Sequence, residues 1–236
     1  MSQAIKIKSL SKSFGAIDAV CNISFDVGYG EVLGFLGPNG AGKSTTMKMI
    51  TGFLEPTSGT VEVNGHDVLE DPLSVKRSIG YLPEGAPAYG EMTVKSFLNF
   101  IADIRELSGS LRKNRLDEVI ETINIGTVID QSIETLSKGY KRRVGLAQAI
   151  LHDPDILIMD EPTDGLDPNQ KHEVRNLIKK MAEKKAIIIS THILEEVDAV
   201  CSRAIIISSG KLLFDGTPEQ LISKSDQGNI DHAFET

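Results

Sequence analysis

The chain has 236 residues, 40% of them hydrophobic and 25% charged, which is enough apolar material to bury a core without disulfide staples. Its formal net charge of -8 argues against nucleic acid as a partner, since proteins that bind nucleic acid through bulk charge are basic. It has two cysteines without metal-ligand spacing and no apolar run of the roughly 18 residues that a spanning helix needs. These features favour a cytoplasmic protein that reaches a membrane only through another chain.

The apolar pattern, taken in chain order, predicts two kinds of strand. Segments that alternate apolar and polar residues indicate antiparallel strands with one exposed face; they are 5–8, 22–27 and 60–64. Short continuous apolar runs indicate strands buried on both faces of a sheet; they are Val32–Leu36, 156–159, 186–189 and 204–207. Helical stretches separate the buried runs, so the sequence predicts an α/β fold with a mostly parallel central sheet.

Strand signals are absent between residues 93 and 152. Amphipathic stretches at 94–107 and 111–125 predict helices in this part of the chain. Charged residues of these helices, such as Arg112 and Arg115, are expected on a solvated face.

These patterns predict one unit, 1–236, with a core interrupted by an insertion. The core is expected to comprise 1–84 and 156–222, and the insertion a helical subdomain over 91–152. The polar segment 223–236 is expected to be a weakly ordered tail.

The run GFLGPNGAGKSTT, which begins inside the first buried strand, carries the strongest chemical signal. Gly37, Gly42, Lys43 and Ser44 satisfy the pattern G-x-x-x-x-G-K-[ST] of a phosphate-binding loop. Glycines let backbone N–H groups wrap around a phosphate, and the following helix points its positive end at the same oxygens. We expect Lys43 to neutralise the β- and γ-phosphates of a nucleotide and Ser44 to bind Mg²⁺. The expected nucleotide contacts are Gly37, Pro38, Asn39, Gly40, Ala41, Gly42, Lys43, Ser44 and Thr45.

The run LSKGYKRRVGLAQAI predicts a helix with Ser137 as its N-cap. Its first turns are crowded with cations, although a helix N-terminus carries about half a positive charge and favours anions. The cations are Lys138, Lys141, Arg142 and Arg143. The mismatch is interpreted as an end of the helix that receives an anion.

Acidic residues follow the second buried run. Parallel strands bring their carboxyl ends to one edge of a sheet, where ligands bind in open α/β folds. Asp160 is expected to hold the Mg²⁺ shell there, and Glu161 to orient or deprotonate the attacking water. His192, after the next buried run, is expected at the same edge as a further catalytic residue, together with Glu161 and Lys43.

These motifs, in this order, resemble the ATP-binding subunits of ABC transporters, from about residue 5 to about residue 221. The resemblance implies a P-loop NTPase (RecA-like) core, an N-terminal antiparallel β subdomain, an inserted α-helical subdomain, and ATP and Mg²⁺ as cofactors. It also implies a head-to-tail dimer in which Ser137 and Gly139 of one copy cap the ATP held by the other. Lys138 and Tyr140 depart from the family's LSGGQ signature and resemble the branch that serves ABC-2 type exporters.

Three further residues match positions of the family. Phe14 matches an aromatic that stacks on adenine. Glu84 lies where the family has a loop glutamine, and it is either a ligand of Mg²⁺ or a solvated turn residue. Asp167 matches a loop that senses the opposite subunit, and it is equally a good N-cap before Pro168.

Two classes of function follow from the resemblance. The first is an ATPase on the cytoplasmic face of a membrane that drives a separate integral-membrane permease, through a groove beside residues 84–100, for export. The alternative is a soluble nucleotide-dependent clamp, as in relatives that act on DNA or ribosomes. Such clamps usually carry a coiled-coil arm or two cassettes, and Lys43 and Asp160 lie too close in the chain for such an arm. A non-hydrolysing ATP sensor is disfavoured because Glu161 is intact.

Overall fold

The computed structural model describes residues 3–224, which form ten strands and eight α-helices. The strands are β1 (Gln3–Phe14), β2 (Ile17–Gly28), β3 (Val32–Leu36), β4 (Ser58–Val63), β5 (His66–Asp67), β6 (Ile79–Leu82), β7 (Ile156–Asp160), β8 (Ala186–Thr191), β9 (Arg203–Ser208) and β10 (Lys211–Gly216). The helices are α1 (Lys43–Ile50), α2 (Pro72–Ser78), α3 (Val94–Ile104), α4 (Gly109–Thr122), α5 (Lys138–Ile150), α6 (Pro168–Ala182), α7 (Leu194–Val200) and α8 (Pro218–Lys224). Of the tail predicted at 223–236, residues 225–236 lie outside this description.

The strands form two sheets. A six-stranded sheet has the order β10-β9-β3-β8-β7-β6 and is parallel except for β10, which pairs with β9 antiparallel. A four-stranded sheet has the order β2-β1-β4-β5 and is antiparallel throughout. The predicted α/β class, with a mostly parallel sheet and an antiparallel N-terminal region, is therefore confirmed.

Burial explains why the strands differ in sequence. Every residue of β3, β7 and β8 is buried, because helices or the second sheet cover both faces of the central sheet. β6 and β10 were not predicted: β6 is four residues long and includes Gly80, and β10 alternates between exposed and half-buried residues at an edge of the sheet.

Hydrophobic clusters lie on the two faces of the central sheet. One contains Phe97 and Leu98 of α3 and Val144 of α5, so it fastens the helical segment to the sheet. The other contains Ile5 of β1 and Met47 of α1, so it joins the antiparallel sheet and the first helix to the opposite face.

Helices α3 and α4 confirm the two amphipathic predictions, although both end earlier than predicted. The expectation of a solvated face is wrong for two of the arginines. Arg115 donates from Nε to the carbonyl of Leu151 at 3.0 Å and from a terminal nitrogen to that of Ile150 at 2.7 Å, so it caps the C-terminal end of α5. Arg112 donates to the side-chain oxygen of Asn99 at 2.8 Å, on α3.

Within residues 3–224, no helix combines the length and apolar character needed to cross a lipid bilayer.

Candidate functional site

The phosphate loop connects the buried strand β3 to the first helix, α1. Gly42 is the N-cap of α1 and has φ +109°, a conformation that favours glycine. A Cβ at Gly37 would collide with the carbonyl oxygen of Ile207 in β9, so the loop passes close to the neighbouring strand. The first N–H groups of α1 therefore face the carboxyl edge of the sheet, where they are available to an anion.

Lys43 lies at the base of this loop, 6% exposed. Its Nζ donates to the carbonyl oxygens of Gly37, at 2.6 Å, and Pro38, at 3.0 Å. Burial lowers the pKa of Lys43, and the negative charges of Glu161, Asp160 and Glu84 oppose that shift.

A polar cleft opens above Lys43 between the loop and the acidic end of β7. It is lined by Ala19, Asn39, Gly40, Gly42, Lys43, Ser44, Thr45, Glu84, Asp160 and Glu161. The other predicted loop contacts do not line the cleft: Pro38 is exposed, whereas Gly37 and Ala41 are buried.

Asp160 and Glu161 lie at the C-terminal end of β7, opposite the loop. Asp160 is 2% exposed and accepts a hydrogen bond from the hydroxyl of Ser190 on β8. Glu161 donates its backbone N–H to the carbonyl of Ser190 at 3.1 Å, and its Oε1 lies 2.8 Å from Nδ1 of His192. A carboxylate only accepts hydrogen bonds, so the imidazole donates here and fixes the side chain of Glu161. The sequence did not indicate the contribution of Ser190, whose only signal is a polar residue within a buried strand.

The oxygen groups of the cleft fit Mg²⁺ bound together with a nucleotide. The hydroxyl of Ser44 and the carboxylates of Asp160 and Glu84 line the same cleft. No group of three or more His, Cys, Asp or Glu side chains able to hold a metal ion by themselves occurs in the described residues. This agrees with Mg²⁺, which is usually bound by one or two carboxylates plus phosphate oxygens and water.

The N-terminus of α5 lies outside this cleft. Ser137 is exposed, and its hydroxyl accepts the backbone N–H of Tyr140 at 3.3 Å, which confirms the predicted N-cap. Gly139 is buried, and a Cβ there would lie 2.8 Å from the side-chain oxygen of Gln170. Neither residue lines the cleft of its own chain.

The crowded cations at α5 each have a partner within the chain, so they do not by themselves indicate an incoming anion; that this end of the helix receives an anion stays a prediction. Carboxylates and carbonyl oxygens of neighbouring loops balance the charges that oppose the helix dipole. The partners are Asp164 for Lys138, the Glu134 carbonyl for Lys141, Glu173 for Arg143, and backbone carbonyls for Arg142. An incoming anion would therefore meet Ser137 and backbone N–H groups rather than unpaired cations.

Two predicted site residues lie at the surface. Phe14, at the end of β1, is 50% exposed and has Nζ of Lys12 5.2 Å from the centre of its ring. Asp167 is exposed, and its Oδ1 accepts the backbone N–H of Gln170 at 2.9 Å. The hydrogen bond from Gln170 confirms that Asp167 is the N-cap of α6. Capping does not prevent Asp167 from also contacting another subunit.

The fold and the cleft together define a P-loop nucleotide triphosphatase. A glycine-rich loop and a helix N-terminus face a buried aspartate and a glutamate at the carboxyl edge of a parallel sheet, which is the arrangement of that class.

Comparisons with known proteins define the family. Residues 20–164 match the ABC transporter family model. The chain is 37% identical to the uncharacterized ABC transporter ATP-binding protein YxlF of Bacillus subtilis, over 96% of this chain and 75% of the relative. It is 39% identical to the bacitracin transport ATP-binding protein BcrA of Bacillus licheniformis, over 90% of this chain and 69% of the relative. Other relatives are longer, and the chain spans 38% of one from Escherichia coli and 26% of one from Dictyostelium discoideum.

A solved structure of an ATP-binding subunit of an ABC transporter superposes on this fold with a TM-score of 0.87 at 31% identity, covering 94% of this chain and 92% of that one. The chain belongs to the ABC transporter family, as an ATP-binding subunit. It binds ATP with Mg²⁺ and hydrolyses ATP.

Proposed function

We propose that this ATPase works as a head-to-tail dimer on the cytoplasmic face of a membrane and powers export through a separate integral-membrane permease. The observation that carries the proposal is the separation of Ser137 and Gly139 from the cleft of their own chain. A second subunit is needed to bring the N-terminus of its α5, the signature helix that begins after Ser137, to a bound triphosphate. Export is favoured by the signature's resemblance to ABC-2 type exporters and by the relative named for bacitracin transport.

Within each cleft, we assign a role to each side chain from its position. Lys43 exchanges its two carbonyl contacts for the β- and γ-phosphates, which a charge-assisted hydrogen bond favours. Ser44 and Asp160 hold Mg²⁺, with Glu84 as a further ligand; the metal supplies charge neutralisation at the phosphates. Glu161 orients and deprotonates the attacking water, and His192 holds the Glu161 carboxylate through its Nδ1.

Further contacts are assigned to residues that do not line the cleft. Phe14 stacks on adenine through its exposed face, since stacking needs only an accessible ring. Asp167 contacts the opposite subunit while it caps α6. Ser137 and Gly139 cap the γ-phosphate of the partner's ATP through the hydroxyl and the backbone N–H groups of α5.

The permease is proposed to dock in an apolar groove between the end of α1 and helix α3; the residues that line this groove lie outside 84–100, where the groove was expected from the sequence. Phe53 is 77% exposed and Ile104 is 58% exposed there, and Ile101, Tyr81 and Gln148 line the floor. The groove lies where the helical segment meets the core, so a cytoplasmic helix seated in it would follow movement between them. A short amphipathic helix of the permease fits this apolar lining.

Trapping the closed dimer tests the proposal. Glu161→Gln is expected to keep ATP binding but lose water activation, and therefore to accumulate as a dimer with ATP and Mg²⁺ in gel filtration with light scattering. The double variant Glu161→Gln with Ser137→Arg should remain monomeric, because the added side chain blocks the capping surface. A Glu161→Gln protein that stays monomeric at saturating ATP would count against the dimer.

Docking is tested by coexpression with a permease. Phe53→Ser should remove the subunit from the membrane fraction and leave the ATPase activity of the purified chain unchanged. Leu73→Ser, at another exposed apolar residue (69% exposed), is the matched control and should have no effect. If both variants stay with the membrane, or if the wild-type chain is found only in a soluble, ribosome-bound pool, the permease proposal fails.

A further inference from the structure

Arg142 is one of the most buried charged residues in the described part of the chain, with 5% of its surface exposed. It lies on α5, one turn after the signature residues Ser137 and Gly139. Burial lowers the pKa of Arg142, and nearby carboxylates, Asp164 and Asp160 foremost, oppose the shift. A guanidinium placed so deeply must satisfy its donors, since an unmet donor of a buried charge is strongly destabilising.

The donors of Arg142 go to backbone carbonyls of two other segments. One terminal nitrogen donates to Pro83 at 3.0 Å, in the loop that carries Glu84. The other donates to the carbonyls of Asp160 and Glu161, and Nε lies 3.5 Å from that of Pro162. The planar fork of a guanidinium makes such divergent contacts possible, whereas a lysine ammonium cannot reproduce them.

The backbone that Arg142 holds is strained. Glu161 has φ +53° although it is not glycine, and it precedes a proline, which normally restricts the preceding residue to extended conformations. A left-handed conformation is unfavourable for a non-glycine residue, because its Cβ lies too close to the following carbonyl oxygen. Glu161 is kept there by contacts on both sides: Ser190 accepts its N–H and Arg142 donates to its carbonyl.

We propose that Arg142 is a positioning residue for hydrolysis, which couples the signature helix α5 to the turn at Glu161 and to the loop at Glu84 of its own chain. The inference rests on the proposed role of Glu161. A displacement of α5 when it meets the partner's nucleotide then moves the carboxylate in the same chain. Contact with the second subunit thereby changes the position of Glu161 through the side chain of Arg142.

The chain offers a matched control in the adjacent residue. Arg143 is 7% exposed on the same helix, but it points to the carbonyl of Ile123, at 3.1 Å, and to the carboxylate of Glu173, at 2.8 Å. Arg142→Gln and Arg143→Gln therefore remove equally buried charges, and only the first touches the segments at Glu84 and Glu161.

The test compares kcat and ATP affinity of these variants in the purified full chain, with melting temperature measured in parallel. Arg142→Gln is expected to lower kcat about 10- to 100-fold, the scale on which a misplaced group slows catalysis, while the Kd for ATP changes less than about threefold. Arg143→Gln should keep kcat within about threefold of wild type, even if its melting temperature falls as far as that of Arg142→Gln. Arg142→Lys keeps the charge without the fork and should restore only part of the lost kcat.

Equal losses of kcat in Arg142→Gln and Arg143→Gln would overturn the inference, since they would show a general effect of burial. A folded Arg142→Gln with wild-type kcat would also overturn it. If Arg142→Gln does not fold, Arg142→Lys decides, and a wild-type kcat in that variant refutes positioning by the fork. Glu161→Gln is assayed alongside: if it still turns over ATP, the proposed role of Glu161 fails, whatever Arg142 does.

Discussion

His152 gives the fold a dependence on pH that is separate from catalysis. Its Nε2 lies 3.1 Å from the carbonyl oxygen of Ile79 and donates to it as the neutral ring, while Nδ1 is buried without a partner. Burial, foremost, and the nearby cations Arg105, Arg115 and Lys185 lower the pKa of His152 from 6.5 to about 4.

The sign follows from which state binds the proton. Between the ordinary pKa and the lowered one, the unfolded chain is protonated at His152 and the folded chain is not. The contribution of neutral His152 to the free energy of unfolding is therefore fully present above the ordinary pKa. It is lost as the pH falls from the ordinary pKa towards the pKa of the folded state. The shift implies a loss of about 2 kcal/mol between about pH 7.5 and about pH 5.

Urea unfolding at several pH values measures this loss. His152→Gln keeps a donor for the Ile79 carbonyl but cannot titrate, so its stability should fall about 2 kcal/mol less than that of wild type over this range. His172→Gln, at an exposed histidine, should follow the wild-type curve. Carboxylates contribute equally to all three proteins and cancel in the comparison. A constant difference in unfolding free energy between wild type and His152→Gln at every pH would refute the reasoning.

Three further predictions concern substitutions of single residues. Lys43→Ala should weaken ATP binding at least about 10-fold in a titration with a fluorescent nucleotide, because a charge-assisted phosphate contact is lost; unchanged affinity would refute its role. Glu196→Ala should lower the free energy of unfolding by about 3 kcal/mol, because two threonine hydroxyls and the cations Lys171 and Arg175 lose a carboxylate that is 3% exposed. A stability within about 0.5 kcal/mol of wild type in chemical denaturation would contradict that estimate. Gly37→Ala should destabilise the fold by about 1–3 kcal/mol, since its Cβ meets the Ile207 carbonyl, and an unchanged thermal melt would show that the loop can move aside.

The central sheet could be predicted because burial on both faces leaves a local trace. A strand such as Ile156–Asp160 must be apolar at nearly every position, and the acid at its end, together with the following Glu161, identifies the ligand edge. The phosphate loop could also be predicted, because its residues are adjacent in the sequence. Gly42, at φ +109°, and Lys43 beside it lie in one short turn.

The partners of buried charges could not be predicted in the same way. Arg142 and Arg115 both resemble solvated helix residues, and only tertiary structure reveals the carbonyls that they bind. The contact between His192 and Glu161 also joins residues far apart in sequence; their common position at a strand end predicted proximity but not the hydrogen bond. Strand β6 was missed because the strand with which it pairs, β7, lies far along the chain.

The chain leaves the central sheet after β6 and returns to it at β7, and these two strands are immediate neighbours, with Leu82 opposite Met159. The whole helical segment is thus an excursion whose entrance and exit adjoin. Helices α3 and α4 of this excursion can be remodelled or lengthened without breaking any pairing of the central sheet. Such changes refit the surface offered to a membrane partner, while Glu84 and α5, which contact the hydrolytic edge, are retained.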